Sequence, residues 1–257
     1  MTSPLELQAI AQAAVDDVEQ MFIDGLGAPP ALFKGEGSFA TEVDLGIEKQ
    51  LRTVLTQLTG IPVLGEEAGG GDNSTMWVVD PIDGTANYAA GNPLCGIVVA
   101  LVYESKPVVA VASFPLLHRR LVACEGEKLS SWGGPVSGFG GGPQALNYAD
   151  SRGHIGCSTL IPAELLDDLR GLGLRPRMTG SVALDSAFVA QGVFDGAINF
   201  SPYPWDNAAG ALFVRAAGGV ATDPEGQPWT MASKGLVVGT AQVHGAIMDS
   251  LTRVRKN

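Results

Sequence analysis

The chain has little from which to build a disulfide framework, a membrane span or a nucleic-acid surface. Its three cysteines in 257 residues, Cys95, Cys124 and Cys157, are far apart and odd in number, with no CxxC pair. They are expected as buried thiols in a reducing compartment. The longest unbroken apolar run, Leu94 to Tyr103, is about half a membrane span. The first 22 residues carry Glu6, Asp16, Asp17 and Glu19 and no basic n-region, so no secretory signal is expected and a cytoplasmic location is. Basic residues are scarce: 16 Lys and Arg stand against 27 Asp and Glu, a net charge of −11. That balance argues against a nucleic-acid or anionic-membrane partner. The motifs HExxH, GxSxG and GxxxxGK[ST] are also missing, so zinc-protease, esterase and P-loop mechanisms lack their parts. The three histidines, His118, His154 and His244, are scattered.

What the chain has in excess is glycine, 34 of 257 residues or about 13%, against a usual ~7%. The excess implies many tight turns. With 46% hydrophobic and 17% charged residues the chain is not disordered. At this length folding removes roughly 70% of the unfolded surface, enough for a large core.

Ser3-Pro4-Leu5-Glu6 has the form of a capping box, and Ile10, Ala14, Val18 and Met21 follow at helical spacing, so a first helix is expected to end by Gly25. A second is expected from Thr41 to Gly60, with Ile47, Leu51, Val54, Leu55 and Leu58 on one face. Short apolar segments at Ile61 to Leu64, Met76 to Val79, Gly96 to Val102 and Val108 to Ser113 read as strands. Glu104 to Pro107 would be the hairpin turn of a half-buried sheet. The Gly-, Ser- and Pro-rich stretch from Ser131 to Pro143 reads as a loop at a lobe boundary. Beyond it, strands at His154 to Cys157, Gly196 to Phe200 and Leu236 to Val238 alternate with helices at Ala163 to Arg170, Ser181 to Gln191 and Asp206 to Ala217. This alternation indicates an α/β layered second half.

Acids recur at the ends of these elements. In Trp77-Val78-Val79-Asp80-Pro81-Ile82-Asp83-Gly84-Thr85 an apolar strand delivers Asp80, Pro81 is expected to stop ladder pairing, and Asp83 returns at a Gly-assisted turn. That spacing can gather two carboxylates and the Ile82 carbonyl around one point, an arrangement suited to hard divalent cations. Taken alone, Asp-Pro and Asp-Gly are ordinary turn pairs. Gly65-Glu66-Glu67 again sets acids just past a strand, and Trp205-Asp206-Asn207-Ala208-Ala209-Gly210 sets one at a helix start, where Asp206 could equally be a plain N-cap.

Taken together, the run Asp80 to Thr85 with Asn87-Tyr88, the run Trp205 to Gly210 followed by Ala217-Gly218-Gly219, Gly65-Glu66-Glu67, and Thr41-Glu42-Val43-Asp44 resemble, in order and separation, the inositol monophosphatase family of Mg²⁺-dependent, lithium-sensitive sugar phosphatases. The resemblance covers nearly the whole chain. It implies an α/β (α+β) fold, an alternating α-β-α-β-α layered sandwich of the inositol monophosphatase and fructose bisphosphatase type. An N-terminal lobe, residues 1–135, would hold an antiparallel sheet and most metal ligands. A C-terminal lobe, residues 136–257, would carry Asp206 and the specificity residues. A homodimer is expected by the same analogy.

Carried over residue by residue, the resemblance implies that Glu66, Asp80 and the Ile82 carbonyl bind one Mg²⁺. Asp80 would bridge to a second ion completed by Asp83 and Asp206, and a third, weaker ion would lie near Glu66. Asp44 and Thr85, with Glu66, would hold and activate the attacking water, and the Gly84 and Thr85 N–H groups would face the phosphate. Water activated by metal would attack phosphorus in line while the second ion steadies the departing sugar oxygen. Charge arithmetic agrees: the carboxylates of Glu66, Asp80, Asp83 and Asp206 sum to −4, which two Mg²⁺ cancel and three turn into +2, an anion site.

Substrate choice rests on fewer signals. Gly180-Ser181-Val182 stands where the family has a Gly-Thr-Ala segment touching the sugar, so Ser181 is expected either to bond a hydroxyl or to cap the following helix. Asp83 and Asp206 would also border the substrate. Asn199 stands where inositol-hydrolysing members carry a glutamate, and its amide is neutral and can donate as well as accept. Ser38 replaces an acid common in the loop after Lys34, and Lys34 is either a loop contact to the phosphate or an exposed lysine. The expected activity is hydrolysis of a small sugar or polyol phosphate such as inositol 1-phosphate. The alternatives are histidinol phosphate or a 3′-phosphonucleotide and, from a different class, a catalytically silent metal-binding protein.

Overall fold

The computed structural model describes residues 3–35, 38–71, 73–133 and 153–256. The first helix, α1 (Pro4–Asp24), is held at its start by the expected box: the Glu6 N–H donates to the Ser3 hydroxyl at 3.3 Å and the Ser3 N–H to the Glu6 carboxylate at 2.7 Å. The second, α2 (Glu42–Thr59), repeats the device with Thr41 and Asp44 and ends at Gly60, whose φ of 69° is left-handed. Between them the chain forms a hairpin, β1 (Pro30–Gly35) and β2 (Ser38–Thr41), that the sequence did not announce. Every residue of β1 is exposed, so no alternation marks it.

Six strands form the larger sheet in the order β3 (Val63–Gly65), β4 (Thr75–Asp83), β5 (Gly96–Tyr103), β6 (Lys106–Phe114), β7 (Arg119–Cys124), β8 (Ser130–Trp132). Only β3 and β4 run parallel. The expectation of a half-buried sheet fails: β5 is buried at every position but its last. Both faces are covered. Trp77, Val79, Val99, Leu101, Val109 and Val111 pack with α1 and α2, while the alternate residues Met76, Val78, Val98, Ala100, Ala110 and Ala112 pack toward the second half of the chain. The β5–β6 turn is also tighter than expected. Glu104 and Ser105 alone make it, both at positive φ (47° and 65°), and Lys106 and Pro107 already belong to β6. Ser131 likewise lies in β8, not in a loop, and the rest of the expected 131–143 loop beyond Gly133 and the lobe boundary near 135 lie outside the described residues.

The second sheet has the order β10 (Arg175–Arg177), β9 (His154–Cys157), β11 (Gly196–Asn199), β13 (Leu236–Gly239), β12 (Val220–Thr222). Between the sheets lie α5 (Val182–Ala190) and α6 (Pro204–Ala216), and outside the second sheet lie α4 (Ala163–Gly171) and α7 (Ala241–Val254). The layers are therefore α-β-α-β-α, as the resemblance implied. Helix α6 is buried from Asn207 to Val214 because it is sandwiched. Its alanines and Gly210 permit this, since a Cβ at Gly210 would collide with Ser186 of α5. Burial of Trp77, Trp229 and Phe22 stabilises these layers by roughly 1.5–3 kcal/mol or more per side chain. The three cysteines are buried and free, and among the described residues no helix is long and apolar enough to cross a membrane.

Candidate active site

The site begins where β4 is irregular. Pro81 has no N–H to give, yet it does not end the strand: Asp80 pairs with Val98, the register slips, and pairing resumes at Asp83 with Gly96. The bulge sends both carboxylates into the interior. Asp83 accepts from the Ser181 hydroxyl and from the Val182 and Ala183 N–H groups, both at 3.1 Å. Its charge thus sits against the N-terminus of α5, where unpaired amides favour an anion. Ser181 also caps that helix, accepting from the Leu184 N–H at 3.2 Å. Ser181 thus makes the cap, with a second bond spent on Asp83. Gly180, at φ 81°, lies against the amide of Asn87, which donates to the Thr179 and Leu94 carbonyls at 2.8 and 2.7 Å.

After Asp83 the chain turns at Gly84, φ 85°, into the short helix α3 (Thr85–Ala89). The Thr85 hydroxyl stands 3.0 Å from the Ile82 carbonyl and 3.2 Å from Asp44 Oδ1. Asp44 is fully buried and its other oxygen accepts from the Thr41 N–H and hydroxyl at 2.8 and 2.5 Å. Burial pushes its carboxyl up, against the bonds from Thr41 and Thr85. The expected pair of Asp44 and Thr85 is therefore in contact.

Glu66 begins the turn after β3. Lys34, from β1, reaches it at 2.8 Å and Glu67 at 2.6 Å, so Lys34, although exposed, is an ion-pair partner of the acidic cluster. Burial opposes its charge, but the two carboxylates outweigh that and raise its pKa. Glu67 was not singled out from the sequence. Its side chain is nearly buried, which pushes its carboxyl to about 7 despite Lys34. On the opposite side, Asp206 lies in the first turn of α6 and is not its N-cap. Tyr203 holds the cap position and Pro204 the first helical one. Asp206 accepts from the Ser201 hydroxyl. Asn199 ends β11 with its amide donated to Asn207 at 2.9 Å and its oxygen taken by the Ser201 N–H at 3.0 Å. Asn207 ties the same loop through the Ser201 and Tyr203 carbonyls.

The carboxylates converge in charge. Asp80 is almost wholly buried and its Oδ1 has no hydrogen-bond partner. Burial, then the charges of Glu66, Asp83 and Asp206, push it well above the usual carboxylate range. Asp83 and Asp206 are raised for the same first reason, burial, with Ser181 and Ser201 respectively pulling the other way. The convergence is not yet one of ligand geometry: among the described residues no three His, Cys, Asp or Glu side chains are arranged to hold an ion. Each of the others turns to a donor of its own, Glu66 to Lys34, Asp83 to α5, Asp206 to Ser201. The donor set fits a hard divalent cation all the same. It consists of oxygens, and an orphaned buried carboxylate oxygen amid three like charges needs a cation rather than one more weak donor.

The chain from residue 5 to residue 256 matches the model of the inositol monophosphatase family. It is 41% identical over 260 residues to the probable inositol 1-monophosphatase ImpA of Mycobacterium tuberculosis, covering 98% of this chain and 95% of that protein. It is 40% identical over 253 residues to the inositol-1-monophosphatase ImpA of Mycolicibacterium smegmatis, covering 95% and 91%. Among solved structures, an IMPase/NADP phosphatase complexed with NADP and Ca²⁺ superposes with a TM-score of 0.84 at 22% identity, over 97% of this chain and 96% of that one.

Proposed function

We propose, from the premise that this chain belongs to the inositol monophosphatase family and hydrolyses phosphate monoesters, that it does so with a divalent metal, that this metal is Mg²⁺, two to three ions per site, and that it acts on inositol 1-phosphate or a similarly small polyol phosphate. The observation that carries the metal assignment is Asp80 Oδ1, buried and unpartnered in the field of Glu66, Asp83 and Asp206.

Glu66, Asp80, the Ile82 carbonyl, Asp83 and Asp206 would hold the ions. Bound there, they supply positive charge for the phosphate and lower the pKa of a bound water. The remaining work falls to the chain. The Thr85 hydroxyl lies against the Ile82 carbonyl at 3.0 Å and Asp44 Oδ1 at 3.2 Å, so Asp44 orients it toward the attacking water while the second Asp44 oxygen is locked by Thr41. Proton movement from the attacking water passes to Thr85 and Asp44 in this reading. The Gly84 and Thr85 amides receive phosphate oxygens. Gly180, Ser181, Val182 and Asn199 set the wall facing the sugar, with Ser181 acting through Asp83. A cytoplasmic, lithium-sensitive homodimer without nucleic-acid or membrane partners completes the proposal, and the two-lobe division near residue 135 belongs to it.

The test is phosphate release from inositol 1-phosphate, histidinol phosphate and a 3′-phosphonucleotide, side by side, with Mg²⁺ and with chelator. Release from inositol 1-phosphate that needs Mg²⁺ and fails in Asp80→Asn is expected. Faster hydrolysis of histidinol phosphate or the nucleotide would replace the substrate, and full activity in chelator would remove the metal.

A further inference from the structure

The turn that presents Glu66 has no regular ladder to hold it. After β3 the chain leaves the sheet at Gly65, whose N–H closes the turn on the Gly69 carbonyl at 2.9 Å, and the Glu66 N–H reaches back to the Val79 carbonyl of β4 at 3.2 Å. Lys34 holds the turn's two acidic side chains, and what anchors its backbone comes from the flank of α2. Glu48, one turn after Asp44, is a buried carboxylate whose two oxygens accept from the Glu67 and Ala68 N–H groups at 2.6 and 2.9 Å. Two successive amides facing one anion form a small backbone nest. Arg52, four residues on, neutralises Glu48 at 3.0 Å and donates to the Val63 and Gly69 carbonyls, both at 2.7 Å. The pair thus grips the segment 63–69 at both ends and at its middle.

Gly65 is part of the same contact. A Cβ there would overlap the Glu48 carboxylate itself, so the glycine leaves room for the acid. None of this chemistry touches substrate. It fixes where the backbone of Glu66 and Glu67 lies, and so where their carboxylates can point. Groups behind a metal ligand commonly matter this way, because a ligand that must be ordered on binding costs affinity.

We propose that Glu48, with Arg52, is a positioning residue that sets the divalent-metal affinity of the site by fixing the Gly65–Ala68 turn. The inference rests on the reading of Glu66 as a metal ligand. The substitution Glu48→Gln tests it, since one amide oxygen can serve only one of the two N–H groups and the new NH₂ opposes the other. Mg²⁺ titrated calorimetrically into the full chain should bind on the order of tenfold to a hundredfold more weakly in this variant. Turnover should recover most of its rate at saturating Mg²⁺. Leu51→Val, on the same helix but in the core, should lower Tm and leave Mg²⁺ affinity unchanged. Gly65→Ala should weaken Mg²⁺ binding by displacing Glu48, and should add nothing in a Glu48→Ala background, which also serves if Glu48→Gln does not fold. Unchanged Mg²⁺ affinity in folded Glu48→Gln or Gly65→Ala, or an equal loss in Leu51→Val, overturns the role of Glu48. No Mg²⁺ uptake by the unaltered chain instead overturns the metal site, and this inference with it.

Discussion

Ser181 and Asp83 are 98 residues apart, and the hydroxyl of the first donates to the carboxylate of the second. One side chain therefore caps α5 and holds a carboxylate of the candidate site at the end of β4 in the larger sheet. Replacement by alanine removes an N-cap, which costs about 1 kcal/mol, and leaves Asp83 with two backbone donors. Ser181→Ala should lower Tm modestly and weaken Mg²⁺ activation. Ser181→Thr keeps the hydroxyl and should restore both. Thermal melts and Mg²⁺-dependence of turnover check this.

Asn87 makes a second bridge between the halves. Its NH₂ group gives one hydrogen to Leu94 and the other to Thr179, while its oxygen accepts from Asn92 at 3.0 Å. Asn87→Ala strands two carbonyls in a half-buried place, at about 1–3 kcal/mol for each that water does not reach. The loss should fall on kcat/KM as well as on Tm, because Gly180 rests on this amide. Retained kcat/KM in a destabilised variant would show that the bridge serves stability alone.

The parts of the site readable from sequence are those where an acid interrupts an apolar pattern at an element's end: Asp80 after Val78-Val79, Glu66 after Val63-Leu64, Asp206 before an alanine run. Glu48 carries no such mark, because an acid within a helix reads as a solvated face until tertiary packing buries it. Glu67 does stand at an element's end, but which of the paired acids Glu66 and Glu67 turns inward is set by packing of the turn and not by its sequence. Strands β10 and β12 are three residues long, too short to show a period. Helix α7, by contrast, carries legible signals: Thr240 caps it, and Val243, Ile247 and Leu251 follow four apart on its buried side. The sheet is buried on both faces because Met76 to Val79 and Gly96 to Val102 are apolar at successive positions and do not alternate with polar residues.

Asp185 offers a pH test at a carboxyl that is not itself a proposed metal ligand, although the charge of Asp83 adds to its shift. It is buried on α5 beside Gly156, where any Cβ would strike its carboxyl, and accepts from the Thr179 hydroxyl at 2.8 Å. Burial raises its pKa well above 3.8, with Thr179 opposing. A raised carboxyl holds its proton better in the folded chain, so its contribution is full below the unfolded pKa and is lost as pH rises through the folded one. Asp185→Asn, which keeps the acceptor for Thr179, should therefore flatten stability against pH above about 4. It should be the more stable protein at neutral pH. Denaturant melts from pH 4 to 8 decide, and parallel curves for the two proteins would reject the assignment.

Gly84 joins backbone conformation to activity. Its φ of 85° lies where an L side chain costs about 1–2 kcal/mol. A Cβ would also come within 3.0 Å of the Leu94 carbonyl and 3.2 Å of the Gly180 carbonyl. Those neighbours are backbone, the first bonded by Asn87 and the second next to the Thr179 carbonyl that Asn87 also bonds, and cannot swing away as a side chain could. Gly84→Ala must therefore move either the Asp83–Thr85 turn or the Thr179–Ser181 segment, and both border the substrate in the proposed reading. Activity should fall by far more than the stability loss explains, on the order of a hundredfold in kcat, since an ångström of misplacement has that effect. Asn92→Ala, which touches the same network one bond further out, should leave kcat nearly intact, and equal losses in the two variants would mean that general loosening, not the geometry at Gly84, sets the rate.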